Sequence, residues 1–202
     1  MAVDDDEDLL IRLRAGDEEA FEEFVVDHDS ALRRVARTFV RTPSAADEVV
    51  QETWLAVLRG LSGFEARSSL RTWVFRILVN RARTAATREA RQVPFSTLDA
   101  DDPSVFEPGF GRDGRWISAP ARLDGDPERQ LLSGELRQHL LDAVENLPPG
   151  QRVVITLRDI VGLDADEVCK LLEITDGNQR VLLHRARARV RAALVPQVER
   201  HR

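Results

Sequence analysis

Arginine is the residue type in this chain whose placement could do chemistry. Seven arginines, at 67, 71, 76, 81, 83, 88 and 91, stand against the single acid Glu89, and five more, at 180, 185, 187, 189 and 191, fall between Gly177 and Arg191 with no acid among them. Guanidinium groups clustered in this way suit an anionic polymer. They neutralise phosphates, and a fork that meets guanine O6 and N7 together reads sequence as well. The formal net charge of -6 argues against such a partner only as an average, because the acids are gathered in residues 4 to 29, in Asp47 to Glu52 and in the middle of the chain. Lys170 is the sole lysine, so arginine identity alone says little and the clustering carries the argument.

Other chemistries find little support. Cys169 is the only cysteine, which rules out a disulfide within the chain and leaves a cysteine-based zinc site without partners. His28, His139, His184 and His201 are dispersed, and neither a GxxxxGK phosphate loop nor a local Ser-His-Asp signature is present. No enzymatic activity, metal or cofactor is expected. The acidic stretch Met1 to Asp8 is followed by no signal-peptide core, and no apolar run is long enough to cross a bilayer, so a cytoplasmic protein without membrane contact is expected.

The elements that must position these arginines read as helices, and the expected fold class is all-α. Hydrophobic residues at 43% and charged residues at 32% fit a folded chain. One helical stripe runs through Leu32, Val35, Ala36, Phe39 and Val40, and another through Val50, Trp54, Val57, Leu58 and Leu61. Ser44 after Pro43 is the expected helix cap before Asp47, and Gly60 to Gly63 the expected stop. A further helix starts near Ser68 or Ser69, with Leu70, Trp73, Val74 and Ile77 on its inner face, and continues toward Arg88. Residues 7 to 91 thus form a four-helix unit, within a first domain of 1–91.

Residues 92–126 break the pattern with repeated Pro and Gly and read as a linker. Its apolar residues, among them Phe106, Phe110 and Trp116, either dock on a partner in extended form or pack on the chain's own domains. Periodicity returns from Pro127 with Leu131, Leu132, Leu136, Leu140, Leu141 and Val144, giving a second small helical domain over 127–195 and a tail at 196–202.

Its end is a helix-turn-helix. Asp164 and Glu167 are spaced for a capping box ahead of a short helix to Leu172; Glu173 to Gly177 makes the turn; Asn178 to Arg191 forms the second helix. At 100° per residue, Leu182, Leu183, Ala186 and Val190 gather on one side with Gln179, and Arg180, Val181, His184, Arg185 and Ala188 on the other. The second set can enter a major groove, with Arg180 or Arg185 on guanine and Val181 against a thymine methyl, while Arg187, Arg189 and Arg191 suit phosphates. On these residues alone, a DNA-binding regulator using only this motif, or a helical adaptor with no DNA role, stays open.

The stretch Thr175-Asp176-Gly177-Asn178-Gln179-Arg180-Val181-Leu182-Leu183-His184-Arg185-Ala186-Arg187 resembles region 4 of the extracytoplasmic-function (ECF) sigma factors, of the sigma-70 family. Ala46-Asp47-Glu48-Val49-Val50-Gln51-Glu52-Thr53-Trp54-Leu55 resembles region 2 of the same family, and Arg71 to Arg83 its promoter-melting segment. The resemblance covers all but residues 92 to 126. It implies a factor that binds core RNA polymerase, through the clamp helices of the largest subunit and the β flap, directs it to promoter DNA, and is held in check by an anti-sigma factor. It further implies polymerase contacts at Asp47, Gln51, Glu52 and Trp54. Contacts to the -10 element fall on Phe64, Arg71, Phe75, Arg76, Asn80 and Arg83, and contacts to the -35 element on Arg180, Val181, His184, Arg185 and Arg187. Trp73 is read as core and Phe75 as near DNA. Gln179 departs from the family, which more often has a small apolar residue there.

Overall fold

The computed structural model describes residues 2–88 and 137–200, with side-chain burial for 7–88 and 137–194. The expected linker, and the expected apolar positions Leu131, Leu132 and Leu136, lie outside the described residues. Every regular element in the described part is helical. The first unit contains α1 (Ala2–Arg14), α2 (Glu18–Ala36), α3 (Pro43–Gly60), a single 3-10 turn (Leu61–Gly63) and α4 (Leu70–Arg88). The second contains α5 (137–145), α6 (Pro149–Ile155) running into a wide π turn (Thr156–Val161), α7 (Ala165–Leu172) and α8 (Asp176–Arg200). Among the described residues no helix is long and apolar enough to cross a membrane.

Local chemistry explains where the helices begin. Asp17 caps α2 by accepting from the Ala20 N–H at 3.0 Å, and its carboxyl is held below the usual range by that N–H first and by Arg12 second. The cap of α3 is Thr42, not the expected Ser44: Thr42 Oγ1 accepts from the Ala45 N–H at 3.2 Å. The reason is Pro43, which sits at the first helical position and forces its predecessor into extended backbone, the conformation an N-cap needs. Ser69 starts α4, accepting from the Thr72 N–H at 3.1 Å. At the far end of α3, Gly60 lets α4 approach closely, since a Cβ there would stand 3.1 Å from Trp73 Cζ2.

The apolar faces then fix the packing. Leu32, Val35 and Ala36 of α2 meet Val49, Val50 and Val57 of α3 and Val74, Leu78 and Val79 of α4 in one core. α4 is turned by one position from the sequence expectation. Its buried stripe is Leu70, Val74, Phe75, Leu78, Val79 and Ala82, so Trp73 and Ile77 lie at the margin and Phe75 lies inside. A helix stripe is wide enough to admit either neighbour, and contact with α2 and α3 decides between them. Leu58, placed by periodicity on the inner stripe of α3, is exposed, as is Leu140 on α5.

We expect Thr42→Ala to lower the stability of the first unit by about 1 kcal/mol and Ser44→Ala by only a few tenths, roughly the difference between a used and an unused cap. Urea denaturation followed by circular dichroism checks this, and equal losses would return the cap to Ser44.

Candidate functional site

Three surfaces bring the expected residues together. The first lies along α2 and α3. Trp54 packs edge-on against Phe21 and Phe24 and donates its indole N–H to Asp29 Oδ1 at 3.2 Å. Asp29 in turn accepts from Arg33 Nε at 2.5 Å, and Arg33 also pairs with Asp47. These groups line an open groove together with Val50, Gln51, Leu55 and Leu58. Asp47, Gln51 and Trp54 thus line one groove. Glu52 does not belong to it, because it turns toward α4 and pairs with Arg81 at 2.7 Å. Leu55 and Leu58, the latter 51% exposed, also line the groove and were not among the expected residues. The signal available for Leu55 was an apolar residue off the periodic stripe.

The second surface is the start and outer face of α4 with the loop before it. Arg14 of α1 ties the loop down, donating to the carbonyls of Phe64 and Leu61. Phe64 is buried and its ring lies tilted against that of half-buried Trp73, ring centres 4.9 Å apart. Ala66 has a φ of 53°, a left-handed backbone uncommon outside glycine, which kinks the loop ahead of α4. Arg76 and Asn80 are exposed one turn apart. Phe75, expected near DNA, is 0% exposed and corrects that reading: its ring is part of the core. Arg71 and Arg83 do not point outward either. Arg71 donates to the Val161 carbonyl, and Arg83 donates to the Leu172 carbonyl at 2.8 Å, both in the second unit.

The third surface is the helix-turn-helix. Asp164 and Glu167 form the full capping box, with reciprocal bonds of 2.7 and 2.9 Å. Gly162, at φ 82°, turns the chain from the π turn toward α7, and Thr175 caps α8 by accepting from the Asn178 N–H at 3.2 Å. The wheel sorted α8 correctly: Gln179, Leu182, Leu183, Ala186 and Val190 are buried, and Arg180 and Val181 are exposed, Val181 to 45%. His184 and Arg185 are half-buried beside them. Arg180 pairs with Asp176 one turn back at 2.6 Å. Arg187 differs from expectation. Only 11% of its side chain is exposed, and its fork grips Asp159 of the π turn through bonds of 2.8 and 2.7 Å. A bidentate pair of this kind ties α8 to the π turn that follows α6. Burial raises the Cys169 thiol above its ordinary range, with Asp176 and Asp166 adding to the effect, which fits a structural thiol. Among the described residues no group of side chains could hold a metal ion.

Comparison with known proteins bears on all three surfaces. The Sigma-70 region 2 family matches residues 24–92, and the Sigma-70, region 4 family matches residues 137–190. The ECF RNA polymerase sigma-E factors of Salmonella typhimurium (strain LT2) and Escherichia coli (strain K12) are each 31% identical to this chain over 195 residues, covering 96% of it and 97% of the relative. That of Haemophilus influenzae is 28% identical over 191 residues, covering 95% and 96%. Two solved structures share the fold, each at a TM-score of 0.57. CnrH, in complex with the cytosolic domain of CnrY, is 24% identical over 94% of this chain and 96% of that one. The sigma factor RpoE, in complex with the anti-sigma factor NepR from Bartonella quintana, is 21% identical over 86% and 96%.

The Gln179 amide nitrogen is buried without a hydrogen-bond partner. Gln179→Leu should therefore stabilise the second unit by about 1 kcal/mol, the scale of a buried donor left unmade. Thermal unfolding measures it, and a lowered melting temperature would show that the amide is satisfied in solution.

Proposed function

The chain belongs to the ECF RNA polymerase sigma factors, and from that membership we propose how its three surfaces divide the work. Residues of the α2–α3 groove, with Asp47, Gln51, Trp54, Leu55 and Leu58, bind the clamp helices of core polymerase. The face of α4 with Arg76 and Asn80, together with the loop carrying Phe64, holds the opened -10 element. On α8, the edge formed by exposed Arg180 and Val181 with half-buried His184 and Arg185 reads the -35 element, while the second unit docks on the β flap. Members of this family direct a polymerase, so no catalytic residue is assigned.

The observation that carries the reading is the exposed apolar pair Leu55 and Leu58 beside the Trp54–Asp29–Arg33–Asp47 chain, on the same polypeptide as a helix-turn-helix with an outward Arg180 and Val181. A DNA-binding regulator working alone needs the second feature but has no use for the first. Apolar side chains edged by fixed polar groups match the build of a protein interface, with an apolar centre and a charged rim. Arg187 supports the reading helix through Asp159, and Phe75 supports α4 from within.

Control by an anti-sigma factor belongs to the same reading. Such a partner would cover the α3 groove or the α8 edge, since losing either prevents initiation. The sigma-factor structure from Bartonella quintana is itself a complex with an anti-sigma factor.

The decisive experiment adds the purified chain to core polymerase on a pooled promoter library. Promoter-specific transcripts are expected; DNA binding without core would favour a stand-alone regulator, and neither would leave an adaptor. Leu58→Glu, at an exposed position, should lower core affinity about tenfold, roughly 1–2 kcal/mol, while leaving the melting temperature unchanged. Asn80→Ala should spare core binding yet reduce permanganate reactivity at the start site. Arg185→Ala should cost roughly 1–3 kcal/mol at promoters matched in the -35 element if it forks onto a base. An unchanged ranking of promoters would remove Arg185 from the reading face.

A further inference from the structure

Arg14, the last residue of α1, reaches the loop between α3 and α4, 47 and 50 residues further along the chain. Its guanidinium places two donors there: Nε donates to the Leu61 carbonyl at 3.4 Å, and Nη2 donates to the Phe64 carbonyl. Between those carbonyls runs the single 3-10 turn, which the Phe64 N–H closes on the same Leu61 oxygen at 3.3 Å. Both donors belong to one rigid plane, so together they bracket the turn and fix the spacing of its ends. The helix itself has other supports. Leu10 and Leu13 are buried, and Arg12 ties the end of α1 to Asp17 at 2.8 Å. What Arg14 adds is order in the loop.

That loop has a costly backbone and an open face. Leu61, Phe64 and Leu70 are buried, whereas residues 65–69 are all exposed. Among them Ala66 takes its left-handed φ of 53°, a conformation that a residue other than glycine keeps only where its surroundings over-determine it. At the far end Ser69 caps α4 through the Thr72 N–H. At the near end the Phe64 ring is lodged against Trp73, whose own ring passes close to Gly60, while the Phe64 carbonyl is held by Arg14. With the Phe64 ring turned inward, the groups this loop offers to a partner are those of residues 65–69.

We infer that Arg14 is a positioning residue for reading the -10 element: it acts through the loop, holding residues 65–69 in the one shape that receives an unstacked base. This rests on the reading of the loop as part of the -10 surface. A base outside the stack is recognised by contacts along its edge in a shaped pocket, and such contacts tolerate little displacement. Released from Arg14, the backbone at Ala66 is free to leave its left-handed state, and the loop spreads over several shapes. Discrimination between bases is then lost while the charged face of α4 still attracts the strand. Arg14 is an exposed residue, so shortening it removes the two bonds without opening a hole in the core. Leu58 lines both the cleft beside Arg14 and the groove assigned to polymerase, which makes core affinity a necessary control.

The test uses the full chain with core polymerase on a promoter selected from the pooled library. Each base of its -10 element is replaced in turn, and initial transcription is measured on duplex template and on template mismatched there so that the strands are already apart. Arg14→Ala should keep core affinity and the ranking of -35 elements, and lose about tenfold of its discrimination at the captured base, the scale of one mismatched position. The loss should persist on the pre-opened template, because reading and not opening is impaired. Arg14→Lys, whose single ammonium lacks the planar fork, should recover only part. Arg12→Ala removes an ion pair from the same helix and should leave discrimination intact. Hydrogen exchange of the chain alone should quicken at the amides of residues 62–69 in Arg14→Ala but not in Arg12→Ala, and circular dichroism should show both folded. Unchanged discrimination or exchange in Arg14→Ala, an equal loss in Arg12→Ala, or full recovery on the pre-opened template would overturn the assignment. If the unaltered chain yields no promoter-specific transcript with core, the sigma-factor reading falls and takes this role with it, a failure told apart because it precedes any substitution.

Discussion

Two helices in this protein must be apolar on one side and cationic on the other, and the rest of the structure follows from that constraint. α4 buries Leu70, Val74, Phe75, Leu78, Val79 and Ala82 and turns Arg76 and Asn80 outward. α8 buries Leu182, Leu183, Ala186 and Val190 and turns Arg180 and Val181 outward. Neither helix could stay folded on propensity alone; burial of the apolar stripe holds it, and the partners supplying that burial set the direction in which the charged face looks. α2 and α3 do this for α4, and α6 and α7 do it for α8.

The arginines are not equivalent once the helices are packed. Arg187 is closed onto Asp159 and stiffens the second unit, and Arg81 joins α4 to α3 through Glu52. Arg71 and Arg83 reach backbone carbonyls of the other unit, while Arg76 stays exposed. A cluster that looks uniform as a count is divided by geometry into structural pins, inter-unit contacts and outward charge. The same division separates the acids: Asp29 and Asp47 hold the polar side of the groove on α3, whereas Asp17, Asp164 and Glu167 serve helix starts.

The exposed apolar side chains carry a related lesson. Val181 on α8 and Leu55 and Leu58 on α3 sit among polar neighbours, where folding alone gives them no benefit. An isolated exposed apolar residue is ordinary, but Leu55 and Leu58 line a groove with Asp29, Arg33, Asp47 and Gln51, and Val181 follows exposed Arg180. This is why the groove and the helix edge read as interfaces and not merely as solvated faces.

The sequence by itself determined the helical class, the capping box at Asp164 and Glu167, the helix-turn-helix and the sorting of α8, because each depends on spacing within one turn or on a single helix's periodicity. It also brought out the family, through motifs that lie close together in the chain. What it left undecided was set by contacts between elements. One position of rotation put Phe75 inside and Trp73 at the margin; Pro43 moved a cap from Ser44 to Thr42; Glu52 and Arg187 found partners 29 and 28 residues away, and Arg83 met the end of α7 at 89. A helical wheel cannot see such partners, since two adjacent faces of a helix look alike until a neighbouring helix covers one of them.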